Sequence, residues 1–175
     1  MTGPSATLRD DLIKSIPSLR AFAISLCHNR TEADDLVQET LIRAWNNLSN
    51  FEEGTNLKAW LFTILRNNFY NGLRKQKHQN EYARTMDSSQ FVVQASQDKT
   101  LEFGDVMRVL GDLPPDQREA LILVTVENMS YEEVAAICAC PIGTVKSRVN
   151  RARARLEALM EGAQNTAQAK SAAAS

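Results

Sequence analysis

The residues of this chain best suited to binding chemistry are cations that recur over one short stretch. They are Lys146, Arg148, Arg151, Arg153 and Arg155, and no acidic residue follows them until Glu157. Closely spaced lysines and arginines neutralise DNA phosphates and release counterions. Near the start of a helix, side chains can contact base edges while flanking cations hold phosphates. Taken alone, the charge pattern favours a solvated amphipathic helix with a basic face.

The segment that must position these cations is predicted to form two short helices separated by a tight break. Ser130 and Glu133 have the spacing of a capping box, which would begin the first helix. Cys140-Pro141 interrupts the pattern, and proline fits the first turn of a new helix, so the second helix should begin near Pro141 or Ile142. This arrangement favours a helix–turn–helix that binds DNA. The residues predicted to face inward from the second helix are Val145, Val149, Ala152 and Leu156.

A second cationic stretch, residues 54–79, contains no acid and interleaves its cations with aromatic and amide side chains. Aromatic rings stack on exposed bases, and cations follow the phosphates of a single strand. Amides such as Asn67 can hydrogen-bond to the edge of a base. The alternative is that Trp60 and Phe69 are core residues, and composition alone supports both interpretations equally.

Acidic residues cluster at Glu32, Asp34, Asp35 and Glu39. Asp35 and Glu39 are four residues apart, so they share one face of a helix. Two such carboxylates could serve a metal or acid–base chemistry, but no histidine, nucleophilic cysteine or glycine-rich loop lies beside them. An enzyme is therefore the weakest hypothesis. A solvated acidic face and a protein-binding face are the two stronger ones.

Composition predicts a helical protein without a cofactor. Of the 175 residues, 43% are hydrophobic and 6% aromatic, with only 7 glycines, and the net charge is −1. Cys27, Cys138 and Cys140 do not have the spacing of a tetrahedral metal site, so reduced thiols in a reducing cytosol are expected. The sequence shows neither an apolar run of membrane-spanning length nor a secretory signal. We therefore expect a cytoplasmic protein with no metal and no membrane association.

Helical periodicity predicts an all-α chain of two small domains joined by a flexible linker. The domains are expected at residues 5–78 and 101–161, the linker at 79–100 and a disordered tail at 162–175. Within the linker, Phe91-Val92-Val93 could dock on a domain or a partner. The predicted helices are Thr7–Cys27, which Pro17 could kink or divide, Thr31 through Trp45, Leu57 to about Lys77, Leu101–Gly111 and Asp116 to about Glu127; a loop is predicted at Asn46–Asn56.

Several segments, taken together and in order, resemble the extracytoplasmic-function (ECF) sigma factors of the bacterial sigma-70 family. ADDLVQETLIRAW (33–45) is similar to the region of those proteins that binds the clamp helices of RNA polymerase. NLKAWLFTILRNNFYNGLRK (56–75) is similar to their −10 recognition and melting region. LPPDQREALIL (113–123) and YEEVAAICACPIGTVKSRVNRARARL (131–156) are similar to their −35-binding domain. The sequences of these segments also resemble those of the general-stress-response (EcfG-type) subgroup of alphaproteobacteria.

The resemblance assigns roles to individual residues of the two domains, which would be a region 2 helical bundle and a region 4 helix–turn–helix. It implies polymerase contacts by Asp34, Asp35, Gln38 and Glu39. It implies −10 contacts and melting by Asn56, Lys58, Trp60, Arg66 and Asn67, with the loop 48–55 helping to form a pocket for a flipped base. It implies −35 contacts by Thr144, Lys146, Ser147, Asn150, Arg151 and Arg155, although some relatives carry an aromatic residue in place of Asn150.

The resemblance also implies the partners. These are the RNA polymerase core, promoter DNA at −35 and −10, and a small helical anti-sigma factor that is displaced indirectly by a response regulator with a sigma-like decoy domain. No catalytic residue and no small-molecule ligand are expected, because the polymerase makes the RNA. The sigma factor would select and open promoters of general stress response genes.

Two other functions are compatible with parts of the sequence. The first is a sigma-like decoy that binds an anti-sigma factor without binding DNA, but the basic helix at 142–156 is retained here. The second is a helix–turn–helix repressor with a sensory N-terminal domain. That hypothesis leaves the acidic and basic stretches before residue 80 unexplained.

Overall fold

The computed structural model describes residues 6–52, 54–86 and 109–172, with side chains described over 7–52, 54–79 and 109–160. All regular secondary structure in these ranges is helical, which confirms the predicted all-α fold. The chain separates into two compact units, residues 1–98 and 99–175. No helix in the described ranges is both long enough and apolar enough to cross a membrane.

The first unit contains α1 (Ala6–Cys27), α2 (Arg30–Asn46), a 3-10 turn (Leu48–Asn50) and α3 (Leu57–Met86). Pro17 lies inside α1 without dividing it. Helix α2 begins one residue earlier than predicted because Asn29 caps it. The Asn29 side chain accepts hydrogen bonds from the backbone N–H groups of Thr31 and Glu32, which have no intrahelical partners.

The core of the first unit lies where α1 meets α3. Phe22 and Phe62 are fully buried, with ring centroids 5.0 Å apart. Each large apolar side chain buried in this way stabilises the fold by about 1.5–3 kcal/mol. The same core contains Leu19, Ala23, Leu26, Leu61 and Leu65.

A buried polar contact links α2 to α3. Thr40 is fully buried, and its hydroxyl donates to the Leu36 carbonyl at 2.7 Å. The Asn68 amide donates to the same hydroxyl at 3.4 Å. Because a buried polar group without a partner costs free energy, this pairing fixes the register of the two helices. It also shows which of two adjacent asparagines faces inward, since Asn68 is buried while Asn67 is exposed.

The second unit contains a helical segment at 109–111, then α4 (Pro115–Thr125), α5 (Tyr131–Cys138) and α6 (Ile142–Ala172). The capping box predicted at Ser130 and Glu133 is present, with both hydrogen bonds made. Ala139 has a left-handed backbone (φ 50°), and the Cys140 N–H donates to the Ala135 carbonyl. This cap ends α5 abruptly, and α6 begins at Ile142, as predicted.

The apolar residues predicted to face inward from α6 do so. Val145, Val149 and Ala152 are fully buried, and Leu156 is half-buried. They pack against α4 and α5, whose buried residues include Leu123, Val134 and Ile137, and also the carboxylate residue Glu119. The Cys138 thiol donates to Glu119 Oε1 at 3.0 Å.

Two helices extend further than the sequence patterns suggested. Helix α3 continues to Met86, although its end was predicted near Lys77, so residues 79–86 of the predicted linker are helical. Helix α6 continues to Ala172 through the tail predicted to be disordered. Both extensions are polar but free of proline and rich in good helix formers, which can sustain a helix without an apolar face. The predicted segments 91–93 and 101–108 lie outside the described residues.

Candidate nucleic-acid and polymerase interfaces

Helix α6 presents the predicted −35 residues on its outer side. Ser147, Arg151 and Arg155 recur every four residues along one edge of the helix, and Lys146 and Asn150 form a neighbouring row. The Ser147 hydroxyl donates to the Thr144 carbonyl at 2.9 Å, which holds it within the first turns. The long side chains can reach outward because the inner face is filled by apolar residues. Lys146, Asn150, Arg151 and Arg155 are exposed, while Thr144 and Ser147 are half-buried.

Among the described cations of α6, Arg148 alone forms an ion pair with a described acidic side chain. Its side chain is only 21% exposed, and its Nε lies 3.1 Å from Asp116 Oδ2. Its Nη1 also donates to Cys140 Sγ at 3.7 Å. Arg148 therefore ties α6 to α4 and to the turn before α6. Charge counting along the sequence could not separate this positioning residue from its neighbours, because the separation depends on where Asp116 lies in the fold.

Lys146 is held beside the start of α5 by an aromatic ring. Its Nζ lies 6.0 Å from the centroid of Tyr131, which is half-buried. A cation at that distance from a ring face gains about 0.5–1 kcal/mol at an exposed site. Tyr131 was not among the predicted site residues. Its contact with Lys146 orients a predicted DNA-binding ammonium toward the side of the helix–turn–helix where α5 begins.

The predicted −10 residues begin at the first turn of α3. The Asn56 side-chain oxygen accepts from the Ala59 N–H at 3.1 Å, so this residue caps the helix rather than simply facing solvent. Lys58 is half-buried, with its Nζ 6.0 Å from the Phe62 ring. Asn56 and Lys58 therefore combine a structural role with their predicted contact role.

Trp60 joins the start of α3 to the preceding loop. Its ring centroid lies 5.3 Å from that of Phe51, and both residues are half-buried. Trp60 therefore packs within the unit, as the core interpretation predicts, and still leaves part of its ring accessible, as the base-stacking interpretation requires. Asn67 follows seven residues later, so it lies on the same face about 10 Å along the helix. Arg66, beside Asn67, stacks over Tyr70 at 4.7 Å.

The acidic residues of α2 are exposed but not equivalent. Asp34 forms a two-point ion pair with Arg20, at 2.6 and 2.8 Å. Glu39 pairs with Arg43 at 2.6 Å. Asp35 makes no ion pair with another described residue, and Gln38 is exposed beside it. Among the four predicted polymerase contacts, Asp35 and Gln38 are thus the most available to a partner.

Apolar surface continues from this acidic face. Ile42 is 54% exposed, and it lies on the same side of α2 as Asp35 and Gln38. Trp45 is 47% exposed and stacks under Arg9 at 5.5 Å. Exposed large apolar groups beside polar ones are typical of a protein-binding surface. A shallow groove between α1 and α2 is lined by Arg9, Leu12, Ile13, Ile16, Leu41 and Trp45.

Among the described side chains, no three histidine, cysteine or acidic residues converge to hold a metal ion. The surroundings of the Cys27 thiol favour its protonated form. Burial, and then the negative charge of Glu32, raise its pKa from 9.0 to about 11. Among the described residues, the candidate sites are therefore the cationic, aromatic and acidic surfaces and not a metal centre.

Both units match the profiles of known protein families. Residues 12–79 match the family profile of sigma-70 region 2, and residues 103–156 match that of sigma-70 region 4. The ECF RNA polymerase sigma factor EcfG of Rhodopseudomonas palustris is 54% identical over 159 residues, which cover 88% of this chain and 85% of that relative.

Solved structures agree with the sequence comparison. The sigma factor RpoE of Bartonella quintana, in complex with the anti-sigma factor NepR, is 46% identical, with a TM-score of 0.76 and coverage of 89% of this chain and 97% of RpoE. CnrH, in complex with the cytosolic domain of CnrY, is 28% identical, with a TM-score of 0.67 and coverage of 91% of each chain. On these grounds the chain belongs to the sigma-70 family of RNA polymerase sigma factors, within its extracytoplasmic-function group.

Proposed function

We propose that this protein directs RNA polymerase to promoters, where it recognises the −35 and −10 elements and opens the duplex. The observation that carries the proposal is the presence of region 2 and region 4 in one chain that is 54% identical to an ECF sigma factor over most of its length. The exposed cations of α6 and the exposed face of α3 supply the surfaces that this function needs.

Recognition at −35 rests on α6 entering the major groove. Lys146, Ser147 and Arg151 lie on its outer side near the start of the helix, where groove-binding helices contact base edges. Arg155 lies exposed further along the same edge, where we expect it to bind a phosphate. Arg148 and Tyr131 act indirectly, since the first holds the helix on α4 and the second holds the Lys146 ammonium.

Recognition and opening at −10 rest on the first half of α3. An extruded base needs an aromatic or apolar surface to stack on and hydrogen-bonding groups for its edge, which together offset an unstacking cost of a few kcal/mol. Trp60 and Asn67 share a face of α3 that can supply both groups. We expect the loop at 48–55 to form one wall of the pocket, and the contact of Phe51 with Trp60 supports this expectation.

Polymerase binding is assigned to the exposed face of α2. Asp35, Gln38 and Ile42 combine a carboxylate, an amide and an apolar group on one side of that helix. Asp34 and Glu39 are also assigned to the polymerase-binding surface. Asp34 forms an ion pair with Arg20, and Glu39 forms one with Arg43. The protein itself needs no catalytic group, because the polymerase carries out the synthesis, and it acts where bacterial transcription occurs, in the cytoplasm.

An anti-sigma factor is the second partner that we propose. Two similar solved structures, RpoE with NepR and CnrH with the cytosolic domain of CnrY, are sigma factors held by such inhibitors. The likeness to EcfG extends the proposal to control of general stress response genes. Release of the inhibitor would then free the polymerase-binding and DNA-binding surfaces together.

Transcription in vitro with purified core polymerase tests the proposal. We expect the protein to direct initiation from templates that carry −35 and −10 elements at a defined spacing, and to fail on templates in which either element is scrambled. A decoy would bind the anti-sigma factor but support no initiation. Absence of initiation from a set of genomic templates, with core binding intact, would overturn the proposed function.

A further inference from the structure

Two arginines of α1 contact side chains of α2 near opposite ends of the interface between the two helices. Arg20 forms a two-point ion pair with Asp34, with Nε–Oδ1 and Nη2–Oδ2 distances of 2.6 and 2.8 Å. The guanidinium of Arg9 lies 5.5 Å from the centroid of the Trp45 ring. All four side chains are exposed, so these contacts lie at the surface of the unit and not in its core.

The two contacts have the same spacing on both helices. Arg9 and Arg20 are eleven residues apart, and so are Asp34 and Trp45. Eleven residues are close to three helical turns, so each pair lies on one face of its helix and spans roughly 16 Å. The pairing of residue 9 with 45 and of 20 with 34 therefore follows one antiparallel register along the contact between α1 and α2.

The side chains that the arginines hold border the proposed polymerase-binding face of α2. Asp34 and Gln38 are four residues apart, and Trp45 follows Gln38 by seven, so the three lie in one row along the helix. This row faces α1, because its first and last members contact the two arginines. Asp35 and Ile42 lie in the next row, farther from α1. The two arginines therefore act at the two ends of the proposed contact face.

Fixing a side chain before binding lowers the free-energy cost of association. An exposed side chain that is free to rotate loses this freedom when a partner immobilises it. Arginine suits the purpose, since its planar guanidinium can bind both oxygens of a carboxylate and can also stack on an aromatic ring. The Arg20 guanidinium takes one acceptor site on each oxygen of Asp34, and the remaining sites stay available to a donor of the partner.

We propose that Arg9 and Arg20 are positioning residues for polymerase binding, which hold Trp45 and Asp34 in the arrangement that the polymerase contacts. The inference rests on the proposed function and deepens it, because neither arginine is among the residues assigned to that surface. Trp45 is then part of the contact, as an exposed ring at the end of the face opposite Asp34. Charge alone gives the opposite expectation, since an acidic face attracts a cationic partner and two arginines beside it would weaken that attraction.

The test measures the affinity of labelled core polymerase for three variants of the full chain. Arg9→Gln/Arg20→Gln removes both contacts. Arg20→Lys keeps the positive charge but cannot make the two-point contact with Asp34. Lys14→Gln is the matched control, because it removes a cation of α1 that pairs with Asp11 of the same helix.

We expect the double variant to bind core polymerase at least about fivefold more weakly, since two more side chains must then be immobilised on binding. Arg20→Lys should also weaken binding, and Lys14→Gln should match the wild type. Wild-type affinity in Arg20→Lys, or unchanged or stronger binding by the double variant, would overturn the inference. If the wild-type protein itself fails to bind core polymerase, the proposed function fails, and the inference falls with it.

A role limited to holding the two helices together is separated by two further measurements. Thermal melting of the double variant should be nearly unchanged, because exposed ion pairs contribute little to stability. In a Trp60→Phe background Trp45 is the only tryptophan of the chain. Adding Arg9→Gln should then lower the fluorescence anisotropy of the free protein, because the ring moves more freely. A lower melting temperature with unchanged anisotropy would assign the arginines to helix packing and overturn the inference.

Discussion

Arg148 and Arg151 are three residues apart on α6, yet their guanidinium groups have different surroundings. Arg148 is held by Asp116 and the Cys140 thiol, whereas Arg151 is exposed on the outer edge of the helix. A held guanidinium fixes the position of the helix, and an exposed one can neutralise a phosphate or bind a base edge. Individual residues of the same type therefore divide into positioning and contact roles according to what surrounds them.

We expect Lys146→Ala with Arg151→Ala to abolish binding to −35 DNA and leave binding to core polymerase unchanged. The reason is that both side chains are exposed on α6, so their removal leaves the core of the second unit intact. Binding of holoenzyme to a promoter fragment, measured beside core binding, tests this. Lys14→Ala serves as the control for loss of positive charge. Loss of core binding or of helical content in the double variant would mean that these residues are structural.

A second expectation at the residue scale concerns Cys27. Because burial and Glu32 raise the pKa of its thiol to about 11, the folded protein keeps the proton while an unfolded chain loses it near pH 9. Its contribution to stability is therefore full below pH 9 and declines as pH rises toward 11. The rate of alkylation of Cys27, followed by peptide mass spectrometry, should rise with a midpoint near pH 11 in the native protein and near 9 in urea. A native midpoint near 9 would contradict this cause.

At the scale of elements, the turn between α5 and α6 determines the direction of the helix that is proposed to bind −35. The capping box at Ser130 begins α5, the left-handed Ala139 ends it, and Pro141 precedes the first residue of α6. These features are local and stiff. They give the short helix a defined length, so that its apolar face meets α4 and α6 together.

Ser130→Ala should therefore destabilise the second unit by about 1 kcal/mol, because it removes the side chain that accepts from the Glu133 N–H. Urea unfolding followed by circular dichroism measures the change. Glu132→Gln is the matched control, since it alters the same turn without touching the capping box. Equal effects of the two substitutions would show that the charge of the first turn matters more than the cap.

The exposed face of α2 gives a further expectation at this scale. Asp35→Arg with Glu39→Arg should weaken binding to core polymerase by at least tenfold, an amount equivalent to about 1.4 kcal/mol, because it reverses two charges on the proposed contact face. Binding of labelled core polymerase measures the effect, and Asp10→Arg, an exposed acid of α1, is the control. Unchanged binding would show that the acidic cluster is a solvated surface and not a polymerase contact.

At the scale of the whole molecule, two compact units divided between residues 98 and 99 each carry one proposed DNA contact. Each unit is small and would bind DNA weakly by itself. Attachment of both to polymerase makes the second contact intramolecular, which can raise overall affinity by about 10²–10⁴-fold. Promoter selection would then depend on the chain connecting the units as well as on the contacts themselves.

Cutting that connection should uncouple the two contacts. A protease site is inserted between Asp98 and Lys99, and the uncleaved insertion variant serves as the control. Cleavage then separates the two units without changing any contact residue. We expect the cleaved holoenzyme to lose at least about tenfold in affinity for a promoter with both elements, a low bound on the gain from tethering. Its affinity for a probe with −10 alone should be unchanged. Equal affinity before and after cleavage would show that the units do not act through their covalent connection.

The sequence by itself determined the helical fold, the capping box, the start of α6 and the family resemblance, because these depend on local periodicity and local motifs. The inward positions Val145, Val149 and Ala152 were predicted correctly for the same reason: helical spacing places them on one face whatever they pack against. The ends of α3 and α6 were less predictable, since a polar segment can be helix or coil at similar free energy.

Only the tertiary structure decided which members of each charged run are available. Arg148 is committed to Asp116, Asp34 to Arg20, and Asn68 rather than Asn67 to the core. Each of these outcomes depends on a partner distant in the sequence or on which side of a helix meets its neighbour. Residue type and spacing can identify a cationic or acidic face, but the free energy of pairing and burial, which comes from the packed fold, selects the side chains that remain for DNA and polymerase.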